Sequence, residues 1–82
     1  MEYRIGQVVR SIAGRDNGKA FIVVRTEGDY VYFADGETRR REAPKKKKLK
    51  HIQGSYNVSE EIAALIKSGT AQNNMLRRFL NS

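Results

Sequence analysis

Hydrophobic and polar positions alternate along the first third of the chain, with the two-residue period of a half-buried β-strand. Residues 6–12 alternate in part, with Val8, Arg10 and Ile12 on one face and Val9 on the other. In the strand predicted at 19–27, Phe21, Val23 and Arg25 face one side, and Ile22, Val24 and Thr26 face the other. Many of the residues are β-branched or aromatic, which suits a pleated surface. The pattern predicts three strands, at 6–12, 19–27 and 29–34.

Turn residues separate these predicted strands. Asp35-Gly36 is a strong hairpin signal, because glycine takes a positive φ without steric cost. We expect a fourth, polar edge strand at about 37–42, ended by Pro44, which has no N–H for a sheet ladder. A short closing strand is expected at 49–53. Several short strands at this spacing predict a small barrel, because closure removes exposed strand edges.

The period of the apolar positions changes in the last third of the chain, where it becomes helical. A first helix is expected at 59–67, with Asn57 or Ser59 as its N-cap. Gly69 follows as the left-handed residue that ends many helices. The apolar positions of this helix are Ile62, Leu65 and Ile66.

A second helix is expected at about 74–81, with Asn73 as its N-cap. Its apolar stripe is predicted to pack against the barrel or the first helix, and consists of Met75, Leu76, Phe79 and Leu80. The chain therefore divides into a mainly β part, a small barrel over 1–54, and a helical extension over 55–82.

Charge distinguishes the middle of the chain from the rest. The 82 residues carry a net charge of +7, and half of the sixteen Lys and Arg lie in residues 39–50, the basic segment. Such a charge points to an anionic partner, which is nucleic acid, a membrane surface or an acidic protein. We expect nucleic acid, because only Leu49 offers a large apolar side chain near the lysines for insertion into a membrane.

The composition also limits the compartment and the chemistry. The absence of cysteine excludes disulfides and thiolate metal sites. No apolar run reaches the roughly 20 residues of a membrane span, and the first residues lack the features of a signal peptide. We expect a cytoplasmic protein of one domain without a membrane partner.

Catalysis is not expected. The chain has one histidine and no pair of carboxylates beside a base, and no two to four residues have the spacing of metal ligands. The segment GRDNGK lacks the spacing and the strand-to-helix context of a nucleotide phosphate-binding loop. We predict a protein that is not an enzyme and takes no cofactor.

The turn between the first two predicted strands is hydrophilic and contains two glycines, in the segment SIAGRDNGKAFIVV. One interpretation is structural, with the glycines in unusual dihedrals and Asp16 bonded to neighbouring backbone N–H groups. The other is functional, with exposed N–H groups, Arg15 and Lys19 gripping a phosphate. The short motif by itself leaves both interpretations open.

A longer stretch, IGQVVRSIAGRDNGKAFIVV, resembles the KOW motif of several large-subunit ribosomal proteins and transcription elongation factors. The near-obligatory glycine of that motif corresponds to Gly14. With VYFADGETRRREAPKKKKLKHI, residues 4–53 resemble small bacterial KOW-domain RNA-binding proteins. The resemblance implies an SH3-like barrel that binds structured RNA, with ribosomal RNA of the large subunit as the expected partner, and no catalysis.

Two RNA contact zones are expected on this basis. The turn supplies Gly14, Arg15 and Lys19, with Arg15 forking onto a phosphate or stacking on a base. Asp16 is expected to shape the loop. The basic segment is expected to follow the RNA backbone as an extended chain, and its contacts, with the adjacent histidine, are Arg39, Arg40, Arg41, Lys45, Lys46, Lys47, Lys48, Lys50 and His51. Most of the four tyrosines are expected in the core or at its rim.

One alternative function remains open from the sequence. A KOW domain can be a protein-interaction module that docks on the transcription or translation machinery, here through the predicted helical tail. Replacing Lys45–Lys48 with glutamine would separate the two functions, because RNA binding would collapse and an apolar interface would survive. In both cases we expect a monomer when the protein is free.

Overall fold

Residues 2–81, the part of the chain that the computed structural model describes, form five antiparallel strands followed by two helices. The strands are β1 (Gln7–Ser11), β2 (Ala20–Glu27), β3 (Tyr30–Ala34), β4 (Lys45–Lys48) and β5 (Ile52–Val58). The helices are α1 (Glu60–Ser68) and α2 (Asn73–Leu80), and a 3-10 turn (Leu49–His51) joins β4 to β5. The strand order in the sheet is β4-β3-β2-β1-β5, so the first strand pairs with the second and the last.

The first three predicted strands are confirmed, and the fourth is wrong. Residues 37–42 form a loop rather than a polar edge strand. The Asp35 carboxylate bends the chain there, because it accepts hydrogen bonds from the backbone N–H groups of Glu37 and Arg39, both at 2.8 Å. It also accepts one from the Thr38 hydroxyl at 2.7 Å. The edge strand is instead the lysine run, β4, which pairs with β3.

The closing strand lies later in the chain than predicted. Residues 49–51 are the 3-10 turn, and β5 continues to Val58, across the 54/55 boundary expected from the sequence. β5 pairs with β1 through a register shift between Gln7 and Val9. β4 and β5 are the edges of the sheet, and no ladder joins them within residues 2–81, so the sheet is not closed.

Apolar side chains cover both faces of the sheet, because β2 lies at its centre. On the inner face Phe21 and Phe33 stack with ring centroids 4.2 Å apart, and Val9 and Ile52 join the same cluster. On the outer face the helices cover a second cluster, with members Ile22, Ala34, Ile62 and Leu76. Burial of each large side chain stabilises the fold by roughly 1.5–3 kcal/mol, so both clusters contribute substantially.

The first helix has one of its two predicted N-caps. The Ser59 hydroxyl oxygen accepts a hydrogen bond from the Ile62 N–H at 3.1 Å, whereas Asn57 lies in β5. Gly69 follows the helix in the left-handed conformation, with φ of +78°, and satisfies carbonyls of the last turn, as predicted.

The second helix begins at Asn73, and its N-cap is Gln72. The Asn73 side chain serves another purpose: its Nδ2 donates to Glu42 and its Oδ1 accepts from the Arg41 N–H, both at 2.7 Å. These bonds tie α2 to the loop before β4. The predicted stripe packs on the outer-face cluster through Leu76, Phe79 and Leu80. No helix within residues 2–81 is long and apolar enough to cross a membrane.

Gly36 lets α2 approach the loop after β3, and its substitution tests that contact. Its φ is +79°, and an added Cβ would overlap the Asn73 carbonyl oxygen. Gly36→Ala is expected to lower the free energy of unfolding by more than about 2 kcal/mol, because overpacking and left-handed strain add. Gly28→Ala is the control. The φ of Gly28 is also positive, at +57°, but a Cβ added there would have no atom beyond the adjacent residues within 4 Å. The free energy of unfolding is therefore expected to fall by only about 1 kcal/mol. Urea unfolding measures both, and equal losses would contradict the predicted contact.

Asp35 is expected to make the stability of the 35–39 loop depend on pH. Burial raises the pKa of Asp35, but hydrogen bonds from the Arg39 backbone and the Thr38 hydroxyl outweigh it and hold the pKa below its ordinary value. The folded protein therefore binds this proton less readily than the unfolded chain. The stabilisation is present above the ordinary aspartate pKa of about 3.9 and is lost as pH falls through the lower folded-state value. Urea unfolding of wild type and Asp35→Asn between about pH 5 and pH 2 should show a shallower acid loss in the variant, and identical slopes would contradict this.

Candidate nucleic-acid interface

The turn between β1 and β2, residues 12–19, is held by its own backbone and is called the glycine turn below. The Gly18 N–H donates to the Ser11 carbonyl at 2.8 Å, and the Asn17 N–H donates to the Gly14 carbonyl at 3.2 Å. Gly14 has a φ of +78°, a conformation that side chains disfavour. The turn is therefore a closed, hydrogen-bonded structure rather than an open loop.

Asp16 lies beneath this turn and binds it to the basic segment. The residue is only 6% exposed. Its Oδ1 lies 3.6 Å from the Arg39 Nη2, and its Oδ2 lies 3.9 Å from the Lys47 Nζ. Two cations from separate parts of the basic segment therefore meet the single carboxylate of the turn. This arrangement gives Asp16 a position from which it shapes the loop.

Lys47 differs from the interpretation made from the sequence. Its ammonium donates to the Ser11 hydroxyl and to the Ala13 carbonyl, both at 2.7 Å, and its side chain is 11% exposed. Lys47 was expected to contact RNA, but the structure directs its charge into the protein. The reason is the side-chain alternation of β4, which turns every second lysine inward.

The lysine run is therefore divided between two sides of the sheet. Lys45 and Lys47 are half-buried, whereas Lys46 and Lys48 are exposed and face outward. The run does not act as one extended basic chain. The Lys45 side chain has no hydrogen-bond or ion-pair partner within residues 2–81.

Exposed cations surround the glycine turn. Arg15 and Lys19 are exposed, and neither side chain has a hydrogen-bond or ion-pair partner in the described part of the chain. The Arg10 guanidinium, on β1, donates to the Gly18 carbonyl. With the half-buried Arg39, which is paired with Asp16, these cations form the glycine-turn cluster: Arg10, Arg15, Lys19 and Arg39.

The 3-10 turn before β5 runs beside the glycine turn. The Ile12 N–H donates to the His51 carbonyl at 2.9 Å, which joins the two turns. The His51 side chain is half-buried, whereas Lys50 is exposed. Of these two predicted contacts, Lys50 is the exposed one, and it borders a hollow together with Tyr30 and Lys48.

Arg40 and Arg41 lie beside the start of α2 and share one carboxylate. The Nε atoms of Arg40 and Arg41 lie 3.2 and 3.8 Å from oxygens of Glu42. The hydrogen bond from the Asn73 amide and, after it, that from Arg40 hold the pKa of Glu42 below its usual range, so this carboxylate stays charged. With Arg77, the two arginines border a hollow of about 610 Å³. Glu42 reduces their net charge.

A third group of cations lies on the outer face, over two tyrosine rings. Lys46 Nζ is 4.4 Å and Lys48 Nζ is 6.0 Å from the ring centroid of Tyr30. The Arg25 guanidinium lies 4.7 Å from the ring centroid of Tyr32. We call these residues the outer tyrosine patch: Arg25, Tyr30, Tyr32, Lys46 and Lys48. By contrast, Tyr3 packs against the inner-face cluster.

No protein-family model matches the chain, and a search of curated proteins finds no match. Within residues 2–81, no three side chains of His, Cys, Asp or Glu gather closely enough to hold a metal ion.

Lys47 is expected to stabilise the glycine turn rather than to bind a ligand. Lys47→Met removes two charge-assisted hydrogen bonds and leaves Asp16 poorly paired, so the free energy of unfolding should fall by about 2–3 kcal/mol. Amide hydrogens of the turn should also exchange faster. Lys46→Met is the matched control, because its ammonium lies in solvent over Tyr30, and its loss should stay below about 1 kcal/mol. Chemical unfolding with hydrogen exchange measures both, and an equal effect of the two substitutions would refute the assignment.

Proposed function

We propose that the protein binds structured RNA through the glycine-turn cluster. The observation that carries this proposal is the concentration of cations at the turn, where Arg15 and Lys19 project without protein partners while Asp16 beneath them is paired. A polyanion supplies the counter-charge that these two side chains lack. Because backbone hydrogen bonds hold the turn, little ordering is left for the moment of binding, which favours affinity.

The proposed fold family is the SH3-like barrel of KOW domains. The pairing of β1 with both β2 and β5 is compatible with such a barrel, even though the sheet is open between its edges. The KOW resemblance places the near-obligatory glycine at Gly14, and this residue has the left-handed conformation that such a turn requires. The proposal includes neither catalysis nor a cofactor.

Electrostatics dominate the proposed binding. Arg15 offers a planar fork for two phosphate oxygens, or a plane that stacks on an unpaired base, and Lys19 acts as a point charge. Arg39 extends the positive surface around the turn, and Lys50 contributes a further exposed cation. With about five phosphates neutralised, the logarithm of the binding constant should fall with the logarithm of salt at a slope of roughly −3.5 to −4.5.

The proposed target is ribosomal RNA of the large subunit, bound in the cytoplasm as part of a ribosomal or ribosome-associated protein. Recognition would depend on the shape of folded RNA, because the major groove of an A-form helix is too narrow for side chains to read bases. The free protein is proposed to be a monomer.

Docking on the transcription or translation machinery is less supported by the fold. That function needs an apolar surface on the helical tail. The apolar stripe of α2 is instead packed against the outer-face cluster, through Leu76, Phe79 and Leu80. RNA binding is therefore the function that the surface charge favours.

Arg15 and Lys19 can be tested with a control of equal charge. The double substitution Arg15→Gln, Lys19→Gln is expected to weaken binding to large-subunit ribosomal RNA about tenfold or more and to reduce the magnitude of the salt slope by roughly 1.4–1.8, the value for two lost phosphate contacts. The control is Lys67→Gln with Arg78→Gln, which removes the same charge from exposed positions of the helices. Filter binding at several salt concentrations measures both.

Two results would contradict the proposed function. One is an equal loss in the two double variants, since it would mean that total charge rather than the turn governs binding. The other is in-cell crosslinking of the wild-type protein that recovers no ribosomal RNA above background.

A further inference from the structure

The outer tyrosine patch occupies the part of the outer face that the helices leave uncovered. The helices pack over Ile22 and Ala34, whereas the other end of β3 carries Tyr30 and Tyr32, both half-exposed. The strands β2 and β4 on either side supply Arg25, Lys46 and Lys48. The result is a surface in which flat rings and positive charges alternate.

We propose that the outer tyrosine patch binds unpaired nucleotides, with bases stacked on Tyr30 and Tyr32 and phosphates held by Lys46 and Lys48. This inference rests on the proposed function, because it assigns a second surface of the same protein to a single-stranded part of the RNA. It assigns the exposed lysines of the run, Lys46 and Lys48, to the phosphates of unpaired nucleotides.

The register of the sheet sets the spacing of this surface. Tyr30 and Tyr32 project from the same face of β3 two residues apart, which corresponds to about 6.7 Å along the strand. Tyr30 pairs with Lys48 and Tyr32 pairs with Lys46 across the β3–β4 ladder. Each ring therefore has a cation directly opposite, so the arrangement repeats in the way that a chain of bases and phosphates repeats.

Two hollows adjoin the rings and provide space for bases. One has a volume of about 410 Å³ and is bordered by Tyr30, Lys48 and Lys50, with the carboxylate of Asp29 as its one acidic group. The other has about 400 Å³ and is bordered by Tyr32, Arg25 and Pro44, with apolar side chains of the helical region on its far side. Each hollow combines an aromatic wall with positive charge, which is the combination that single-stranded nucleic acid prefers.

Cations cover the tyrosine rings in the free protein, and a base can displace them. Cation–π contacts at exposed positions are weak, whereas stacking of a base on an aromatic ring is stronger and does not depend on sequence. A displaced lysine remains close enough to contact the neighbouring phosphate. The exchange therefore replaces one cation–π contact by a base stacked on the ring and a lysine–phosphate contact.

Glu27 is the acidic residue that contacts Arg25, Tyr32 and Lys46 of the patch. Its carboxylate accepts a hydrogen bond from Arg25 at 2.7 Å and one from the Tyr32 hydroxyl at 3.2 Å, and it lies 3.8 Å from Lys46 Nζ. The bond from Arg25, followed by that from Tyr32, holds the pKa of Glu27 below its usual range. Glu27 therefore stays charged and fixes Arg25 against the ring of Tyr32.

Charge and ring geometry favour nucleotides over the other anionic ligands. An acidic peptide would satisfy the cations but would leave both rings without a stacking partner. Double-stranded RNA would satisfy the cations as well, but its bases are stacked within the duplex and unavailable to the tyrosines. Unpaired nucleotides supply both phosphates for the cations and bases that can stack on the rings.

The experiment compares three anionic probes with the full-length chain at low salt: hexa-adenylate, an abasic hexamer with the same phosphates, and hexaglutamate. We expect hexa-adenylate to bind about tenfold or more tighter than the abasic hexamer, because only the former has bases to stack. Quenching of tyrosine emission by hexa-adenylate should accompany binding. Equal affinity for the two hexamers, or hexaglutamate binding as tightly as hexa-adenylate, would overturn the proposal.

Variants locate the effect. Tyr30→Leu with Tyr32→Leu is expected to abolish the preference for hexa-adenylate, whereas Tyr30→Phe with Tyr32→Phe keeps both rings and should retain it. Circular dichroism establishes that each variant is folded, and if the leucine variant does not fold, the comparison of probes on the wild type decides the matter. A preference that persists in a folded leucine variant would also overturn the proposal.

The result is separable from the test of the glycine turn. Arg15→Gln with Lys19→Gln is expected to leave the preference for bases over the abasic hexamer unchanged while it weakens binding of ribosomal RNA. If the wild type binds ribosomal RNA but does not distinguish the hexamers, the inference about the patch fails and the proposed function stands. If ribosomal RNA itself is not bound, the proposed function fails.

Discussion

One carboxylate organises the cationic end of this protein. Asp16 lies below the glycine turn, between Arg39 of the loop after β3 and Lys47 of β4. Because a buried carboxylate must be paired, this single acid brings together three segments that are distant in the sequence. Lys47 reinforces the arrangement by its hydrogen bonds to Ser11 and Ala13. The exposed side chains of the turn are thereby presented from a frame that the inward-facing charges hold.

The two faces of the sheet have different roles. The inner face is filled by an aromatic and aliphatic cluster around Phe21 and Phe33, which requires no polar group. The outer face is divided along its length, with α1 and α2 over one half and the tyrosine patch on the other. This division arises because β2 is apolar on both faces only in its first half, and polar from Arg25 onward.

Much of the fold follows from the sequence, because alternation and helical spacing are local signals. The strands up to Ala34 and both helices depend on them, as does the left-handed Gly69. The error at 37–42 has a local cause too, since the hydrogen bonds that Asp35 accepts form a turn that a polar pattern does not distinguish from an edge strand. The sequence does not predict a strand at the lysine run, because lysine has little preference for strands. This segment becomes β4 through its pairing with β3.

The candidate site is harder to predict from the sequence than the fold, for a related reason. A row of lysines looks equivalent in sequence, yet a strand turns alternate members to opposite sides. The inward role of Lys47 depends on Asp16, which is 31 residues earlier in the chain, and no local pattern reveals that pairing. Arg10 and Arg25 were not among the predicted contacts. The outward position of Arg10 on β1 follows from the strand period, whereas the period places Arg25 on the inner face with Val23. A register shift between Val23 and Arg25 turns Arg25 outward, opposite Tyr32.

β4 is a short edge strand, and an edge exposes backbone groups that could pair with another chain. Four consecutive lysines at this position make such pairing costly, because two copies would bring like charges into contact. The charge of β4 therefore protects the protein against self-association as well as contributing to its positive surface. A binding partner that neutralises the outward lysines would remove this protection and would have to cover the edge itself.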